Sequence, residues 1–348
     1  MSDESRMHDP MASRARALAG ASCWIITDGK AGHDVQALGI ADALALVPEM
    51  KRVSPKGPWR WTAPWGPVSP AERFGEAGGV FAPPWPKVAI AVGRASIPYI
   101  RALKRRSGPA TFTVVLEDPR AGRSIADFLW VPAHDPLRGP NVMNTLTSPH
   151  SFSQSRLSEL RHGRPPSIAA LPSPRVAVIL GGKNAVYRFR DADDDRLAGA
   201  LRSLGDLGSS FMITTSRRTH ARLLHVVDAA TQGRPRIIYT GEGHNPYADF
   251  LAHADVLVVT ADSVNMTGEA CATGRPVYVF TPSGGSAKFR RFHAGLRTYG
   301  ATRELPDRVD KLPEWEYAPL DSSRRIADEI EMRYARRLGM LSGLMGAT

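Results

Sequence analysis

Short, continuously apolar runs recur along this chain, and most of them are followed by a pattern that is typical of a helix. The run at 256–259 contains only valine and leucine. Such a strand is expected where both faces of a parallel sheet are covered by helices. Strands are predicted at 22–27, 87–92, 111–116, 128–131, 141–145, 175–180, 210–215, 236–240, 255–260 and 276–280, and helices at 33–46, 95–106, 192–204, 217–230, 246–253, 263–273, 286–298 and 321–343. The pattern predicts an α/β protein made of parallel βαβ units.

Two domains are predicted, because 348 residues are more than one core of ordinary size holds. A proline-rich stretch at 149–174 is interpreted as the connector, with the domain boundary inside 165–173. We divide the chain into a tail at 1–20, a first Rossmann-like domain at 21–168, a second at 169–320 and a helix at 321–348 that packs back toward the first domain. Residues 54–86, rich in proline, glycine and tryptophan, are predicted to be a long loop.

The net charge of +11 indicates a phosphorylated ligand, an anionic membrane surface or nucleic acid as partner, or only a soluble basic surface. Nucleic acid is disfavoured, because the basic residues are dispersed and no binding motif accompanies them. Cys23 and Cys271 fit neither metal nor disulfide spacing and predict buried thiols in a reducing compartment. No apolar run approaches the roughly 18–20 residues that span a bilayer, and the first twenty residues lack the apolar core of a secretion signal. We expect a cytoplasmic protein, or one held peripherally at the inner face of the membrane.

A glycine-containing loop follows the first predicted strand. Gly29 and Gly32 permit a tight turn and close approach of a ligand, and Lys30 adds a cation. His33 stands where the next helix begins, a position that disfavours positive charge. A neutral imidazole there can act as general base toward an acceptor hydroxyl, with Asp28 orienting it or acting as the base itself. The alternative is that His33 and Asp28 only cap the loop.

A second loop of this kind follows the strand at 175–180. It offers backbone donors and one cation suited to a diphosphate. The residues concerned are Gly181, Gly182, Lys183 and Asn184. After the next strand come Thr214, Arg217 and Arg218, and positive charge at a helix start is unfavourable unless an anion is present. The alternative for the two arginines is a solvated helix end.

The segment 262–270 is the sharpest constellation in the second half of the chain. Ser263 is a good N-cap, so the amino end of its helix is expected to point at the ligand. Glu269 is expected to accept the ribose hydroxyls of a nucleotide, as acidic residues do in nucleotide folds. Its alternative is a surface carboxylate on an amphipathic helix. The predicted ligand-binding residues here are Asp262, Ser263, Asn265, Met266, Thr267 and Glu269.

Two family resemblances rest on these segments. Residues 27–33 with Ala37, Leu38 and Ala41 resemble the Gly-Gly-His loop and following helix of the lipid-linked murein N-acetylglucosaminyltransferases. Residues 254–269 with 274–276 resemble the donor-binding segment of the same enzymes. That family implies GT-B architecture, with two Rossmann-like domains whose parallel sheets face each other across a cleft. Residues 27–36, 93–94, 117–120, 181–184 and 262–266 resemble more closely the mitochondrial-fission "elongated mitochondria" family, whose bacterial members often carry a nucleotide-sugar epimerase label.

These observations lead to three hypotheses. The first is a GT-B-type transferase that binds a nucleoside diphosphate sugar and passes the sugar to an acceptor, including a lipid or membrane-surface acceptor, without metal or other cofactor. Helix dipoles and cations then stabilise the leaving diphosphate, and the acidic run at 193–195 is interpreted as helix capping rather than a metal motif. The second is a non-catalytic protein of the same scaffold that binds a membrane surface or a partner. The third is a nucleotide-sugar epimerase.

Overall fold

The computed structural model describes residues 17–345, so most of the predicted tail lies outside the described residues. The elements of the first half are β1 Ser22–Thr27, α1 Ala31–Ala43, β2 Val47–Arg52, α2 Pro58–Thr62, β3 Val88–Val92, α3 Ile97–Ser107, β4 Phe112–Leu116, β5 Phe128–Pro132, β6 Val142–Thr145, α4 Gln154–Gly163 and α5 Pro166–Ala169. Their strands form one parallel sheet in the order β2-β1-β3-β4-β5-β6. The order of strands reverses between β1 and β3.

The second half repeats the design with another strand order. Its elements are β7 Arg175–Leu180, α6 Asp191–Asp206, β8 Ser210–Thr215, α7 Ala221–Thr231, β9 Arg236–Tyr239, α8 Tyr247–His253, β10 Val256–Thr260, α9 Val264–Cys271, β11 Val277–Phe280, α10 Ala287–Tyr299, β12 Thr302–Glu304 and α11 Ser322–Met345. All strands are parallel, in the order β12-β11-β10-β7-β8-β9. This is the order of the dinucleotide-binding Rossmann fold, with its reversal between β7 and β10. The predicted α/β class with two parallel sheets is confirmed.

The differences from the predicted elements have local causes. Strand β2 was not predicted, because its sequence VPEMKR is charged and interrupted by Pro48, as befits a largely exposed edge strand. Strand β12 has only three residues. The proline-rich connector contains the helices α4 and α5, with Pro166 at the first position of α5, where a missing amide hydrogen costs nothing.

The first sheet is covered on both faces. One face packs against α1 and α11, and the fully buried Ile326 and Ile330 of α11 belong to this core although they follow the second sheet in sequence. The other face packs against α3 and an aromatic cluster in which Phe81 lies 5.1 Å from both Phe74 and Tyr99, centroid to centroid. The loop at 54–86 is therefore anchored by its own aromatic residues.

The second sheet has one continuous core on which its flanking helices pack. Cys23 and Cys271 are buried free thiols, as predicted. Burial raises the pKa of the Cys23 thiol to about 12. Within residues 17–345, no helix combines the length and apolar character that crossing a membrane requires.

Candidate functional site

Most of the sequence-predicted residues lie at the two places where strand order reverses, and Thr214, Arg217 and Arg218 belong to or follow the neighbouring strand β8. The loop after β1 and the turn after β3 meet at the first reversal, and the loops after β7 and β10 meet at the second. In open α/β sheets, ligands bind in the crevice outside the carboxyl ends of the strands at this switch point. The topology thus provides two neighbouring crevices, one on each sheet.

At the first switch point, Asp28 and His33 form a hydrogen-bonded pair. The Asp28 Oδ1 and His33 Nδ1 atoms are 2.7 Å apart, and both side chains are mostly buried. Lys30 Nζ lies 2.8 Å from Asp28 Oδ2. Partial burial would raise the pKa of the Asp28 carboxyl, but the hydrogen bonds from Lys30 and His33 outweigh it and hold that pKa below its usual value. Asp28 is therefore an ionised partner that fixes the orientation of the imidazole.

Two further residues shape this pair and were not among the predicted site residues. A Cβ atom at Gly93 would lie 2.8 Å from His33 Nδ1, so only glycine lets the turn after β3 close over the pair. Glu117 Oε2 lies 3.8 Å from His33 Nε2. Glu117 has φ 74°, a left-handed backbone conformation that is uncommon for glutamate and that persists where surrounding structure enforces it. Its place beside His33 depends on the pairing of β4 with β3, which no local sequence pattern reveals.

The glycines of the second switch point have a structural role that differs from the predicted one. The amide of Gly181 donates to Thr260 Oγ1 at 2.8 Å, and the amide of Gly182 donates to Asp262 Oδ2 at 3.1 Å. A Cβ at Gly182 would lie 1.9 Å from the backbone oxygen of Arg218. These two amides, predicted as donors for an anion, are thus used to join neighbouring loops.

Asp262 and Arg218 form an ion pair beneath this loop. Arg218 Nη1 is 2.7 Å from Asp262 Oδ2, and the Asp262 side chain is 0% exposed. Asn184 is also used internally, because its Nδ2 donates to the backbone oxygen of Asp262 and its Oδ1 accepts from the amides of Val186 and Tyr187. The charge of Arg218 is therefore partly neutralised before any ligand arrives.

The other predicted residues of this loop region differ in accessibility. Lys183 and Arg217 are exposed at the rim of the crevice, where their charge is available to an anion. Thr214 lies within β8 and is 5% exposed. A buried strand residue of this kind is placed for packing, so the predicted contact of Thr214 with ligand is not supported by its position.

Helix α9 connects the two crevices. The Ser263 side chain accepts a hydrogen bond from the amide of Met266, so it caps the helix as the sequence predicts. Asn265 reaches the first half of the chain: its Nδ2 is 3.5 Å from the backbone oxygen of Gly32, and its Oδ1 is 3.5 Å from Gln36 Nε2. The amino end of α9 therefore faces the loop that carries His33.

Thr267 and Glu269 lie on the buried side of α9. Thr267 is fully buried and its hydroxyl donates to the backbone oxygen of Ser263, so the structure gives it a helix-internal role in place of the predicted ligand contact. Glu269 is 6% exposed, and its Oε2 accepts the hydroxyl hydrogen of Tyr247 at 2.5 Å. Burial raises the pKa of the Glu269 carboxyl, partly offset by this bond. In this conformation Tyr247 occupies the carboxylate that was predicted to meet ribose.

Comparison with known proteins places the chain in a family. The sequence profile described as "Mitochondrial fission ELM1" matches residues 31–334. The chain belongs to the mitochondrial fission ELM1 family. The matched range includes His33, the loop after β7 and α9, and it begins just after the loop that carries Asp28.

Two relatives share moderate sequence identity with this chain. The "Mitochondrial fission protein ELM1" of Arabidopsis thaliana is 29% identical over 276 residues, which make up 72% of this chain and 65% of the plant protein. An uncharacterised protein of Rickettsia prowazekii is 29% identical over 160 residues, 44% of this chain and 45% of that protein. The chain thus spans 65% and 45% of the length of these two relatives.

A solved structure of similar fold is the UDP-GlcNAc 2-epimerase of Methanocaldococcus jannaschii. The two superpose with a TM-score of 0.51 and 10% sequence identity, over 89% of this chain and 99% of that protein. At this identity the likeness establishes the fold alone. It confirms the predicted GT-B-like arrangement of two Rossmann-like halves.

Proposed function

We propose that this chain binds a nucleoside diphosphate sugar between its two switch points and transfers the sugar to a hydroxyl acceptor. The observation that carries the proposal is the placement of the Asp28–His33 pair opposite the capped amino end of α9, with Asn265 spanning the gap to Gly32. A proton acceptor and an anion-binding helix end thereby face each other. The Methanocaldococcus jannaschii enzyme of similar fold is named for UDP-GlcNAc, a ligand of this class.

His33 is assigned as general base toward the acceptor. With its Nδ1 hydrogen donated to ionised Asp28, the imidazole presents Nε2 as the basic nitrogen. Nε2 takes the proton of the acceptor hydroxyl as the acceptor oxygen bonds to the anomeric carbon of the sugar. The bond from that carbon to the diphosphate oxygen breaks, and the diphosphate leaves with the electron pair.

The leaving diphosphate is assigned to the second switch point. Lys183 and Arg217 are exposed there, and the first amides of α9 that Ser263 does not satisfy point outward from the helix end. These donors stabilise the charge that develops as the bond breaks. Arg218 contributes less, because Asp262 already balances its charge.

Ligand binding is tested by thermal shift and calorimetry with uridine and other nucleoside diphosphates and their sugars. A ligand at 100 times its dissociation constant stabilises the native state by about 2.7 kcal/mol, which raises the melting temperature of a domain of this size by about 5–10 °C. Replacing Arg217 with alanine is expected to weaken binding about tenfold or more, as loss of a charge-assisted hydrogen bond does. Arg234→Ala is the matched control. Arg234 precedes β9 and so lies at the amino ends of the strands, away from the crevice at their carboxyl ends, and it pairs with Asp206.

Catalysis is tested with the donor and acceptor that the binding screen identifies. His33→Ala is expected to lower turnover by about 10²–10⁴-fold, the usual share of a general base. Its donor affinity is expected to stay near that of the wild type, because the diphosphate binds to the other sheet. Unchanged turnover in His33→Ala would remove His33 from the mechanism, and absence of any nucleotide-dependent shift would refute the donor site itself.

Epimerisation of the sugar is the alternative reaction at the same donor site. It requires no acceptor and returns a changed sugar still attached to the nucleotide. Analysis of products by chromatography and NMR separates the two reactions: a new nucleotide sugar in the absence of acceptor would replace transfer with epimerisation.

A further inference from the structure

The short segment at 56–66 presents two tryptophans to solvent beside the first switch point. Trp61 is 76% exposed and Trp65 is 64% exposed. An apolar core is available on the same face of the first sheet, because Phe74, Phe81 and Trp24 pack together there as the aromatic cluster. Trp61 and Trp65 nevertheless lie outside it. We call this segment, together with the adjoining Arg120, the tryptophan lip.

Two arginines hold the backbone of the tryptophan lip in place. Arg94 donates to the backbone oxygens of Trp61, at 2.9 Å, and Ala63, at 2.5 Å. Arg101 donates to the backbone oxygens of Trp65, at 2.6 Å, and Gly66. These hydrogen bonds join the arginine side chains to backbone carbonyls of the lip and involve no atom of either indole. The two indoles are therefore displayed by a fixed backbone.

Three exposed basic residues adjoin the two tryptophans, in sequence or through a hydrogen bond. Lys56, Arg60 and Arg120 are all exposed, and Trp65 Nε1 donates to the backbone oxygen of Arg120 at 3.1 Å, which brings that cation to the lip. Asp118 is an acidic neighbour, and its Oδ1 accepts a hydrogen bond from the amide of Arg120. Indoles with adjacent arginine and lysine side chains match the headgroup region of an anionic bilayer, where the ring is half buried and the cation meets lipid phosphate.

The apolar area of the lip argues for a bilayer over a protein partner. Two tryptophan side chains can bury at most about 500 Å². Each partner in a standard protein complex contributes about 800 Å². A bilayer needs no such area, because insertion of a few apolar groups combines with electrostatic attraction to give binding.

We propose that the tryptophan lip docks this protein on the surface of an anionic lipid bilayer. Trp61 and Trp65 enter the headgroup layer, and Arg60 and Arg120 pair with lipid phosphates. Arg94, which holds the lip, directly follows Gly93, the glycine packed on the Asp28–His33 pair. Docking therefore holds the mouth of the first switch point at the membrane, whether or not the protein is a transferase.

The test is co-sedimentation of the full chain with vesicles of 30% phosphatidylglycerol in phosphatidylcholine, and of pure phosphatidylcholine. Binding is expected to the anionic vesicles only, and to weaken as salt is raised from 50 to 300 mM. The double change Trp61→Ser, Trp65→Ser is expected to weaken binding at least about tenfold, the equivalent of about 1.5 kcal/mol for one buried large side chain. Met340→Ser, at a residue that is 69% exposed on α11, is the control for loss of an exposed apolar group and is expected to bind like the wild type.

A charge variant keeps the test valid if the double tryptophan variant fails to fold. Arg60→Gln is expected to weaken vesicle binding about fivefold, the effect of about one kcal/mol per basic residue. Brominated lipids report the position of the indoles directly, and Trp61→Phe with Trp65→Phe is expected to abolish the quenching of fluorescence. The proposal is overturned if the protein binds neutral and anionic vesicles equally, or if the double tryptophan variant binds like the wild type. It is also overturned if the protein binds no vesicles but binds a protein partner, and the double tryptophan variant loses that binding.

Discussion

Replacing Asp262 with alanine is expected to destabilise the second half of the molecule strongly. The carboxylate is completely buried and has three partners. Its Oδ1 accepts the hydroxyl of Thr260 at 2.7 Å, and its Oδ2 accepts the amide of Gly182 at 3.1 Å. Arg218 Nη1 lies 2.7 Å from Oδ2. The substitution removes all of these contacts from the place where the loops after β7, β8 and β10 meet.

The size of the effect follows from how each partner is left. Removing one member of a buried ion pair costs about 3–5 kcal/mol, since the remaining charge is uncompensated. The Arg218 side chain is 38% exposed, so water can hydrate its guanidinium when the carboxylate is removed. The expected loss in the free energy of unfolding is therefore at the lower end of this range, about 3 kcal/mol. Asp262→Asn keeps an acceptor oxygen and loses the charge, so about 1.5–2 kcal/mol is expected for it.

Urea unfolding followed by circular dichroism, with calorimetry, measures these losses. A loss of 3 kcal/mol corresponds to a fall of about 6–12 °C in melting temperature for a domain of this size. Asp310→Ala is the control: Asp310 also pairs with an arginine, Arg308, but its side chain is 82% exposed, so a change within about 0.5 kcal/mol is expected. A loss below about 1 kcal/mol for Asp262→Ala, or one no larger than the control, would show that the buried network does not stabilise the loops.

Two other predictions concern packing and protonation. Gly182→Ala is expected to destabilise the protein by several kcal/mol in the same denaturation assay, because its Cβ would lie 1.9 Å from a backbone oxygen of the facing loop. The control is Gly199→Ala in α6, where the nearest neighbour of the added Cβ would be 3.8 Å away; this variant is expected to be neutral or to stabilise by up to about 1 kcal/mol. Burial lowers the pKa of His150 to about 4 from its ordinary 6.5. As pH drops, the imidazole of His150 is therefore protonated in the unfolded chain before it is protonated in the folded protein. The free energy of unfolding is expected to fall between about pH 6.5 and pH 4 for this reason. In His150→Asn the dependence of that free energy on pH is expected to be shallower by up to about 1.4 kcal/mol per pH unit.

The sequence predicted the strands of the buried sheet interior well, because their composition alone requires cover on both faces. Strand β7 occupies Arg175–Leu180, the range predicted for it. Strand β2 could not be predicted in this way: its exposed position at the sheet edge allows Glu49 and Pro48, so it carries no apolar signal. Local turn chemistry was equally readable, as the cap at Ser263 shows.

Roles that depend on distant loops could not be predicted from the sequence. Which amides of the second switch point are free is decided by Thr260 and Asp262, about eighty residues from the two glycines whose amides they accept. Whether Glu269 is open is decided by Tyr247, on another helix. Glu117 approaches His33 only because β4 pairs with β3 beside β1. Such contacts depend on which strands and helices lie side by side in the folded protein, and the spacing of residues along the sequence does not reveal this.

Helix α11 has a consequence for how this chain is made. Its Ile326, Ala327 and Ile330 are fully buried in the core of the first sheet, yet they leave the ribosome long after that sheet has been synthesised. At about 5–20 residues per second, roughly 10–40 s separate the emergence of β6 from that of α11. During this interval the nascent first sheet has one apolar face without its final cover. A chaperone that shields this face, or faster translation of the second half, is therefore expected to raise the yield of folded protein.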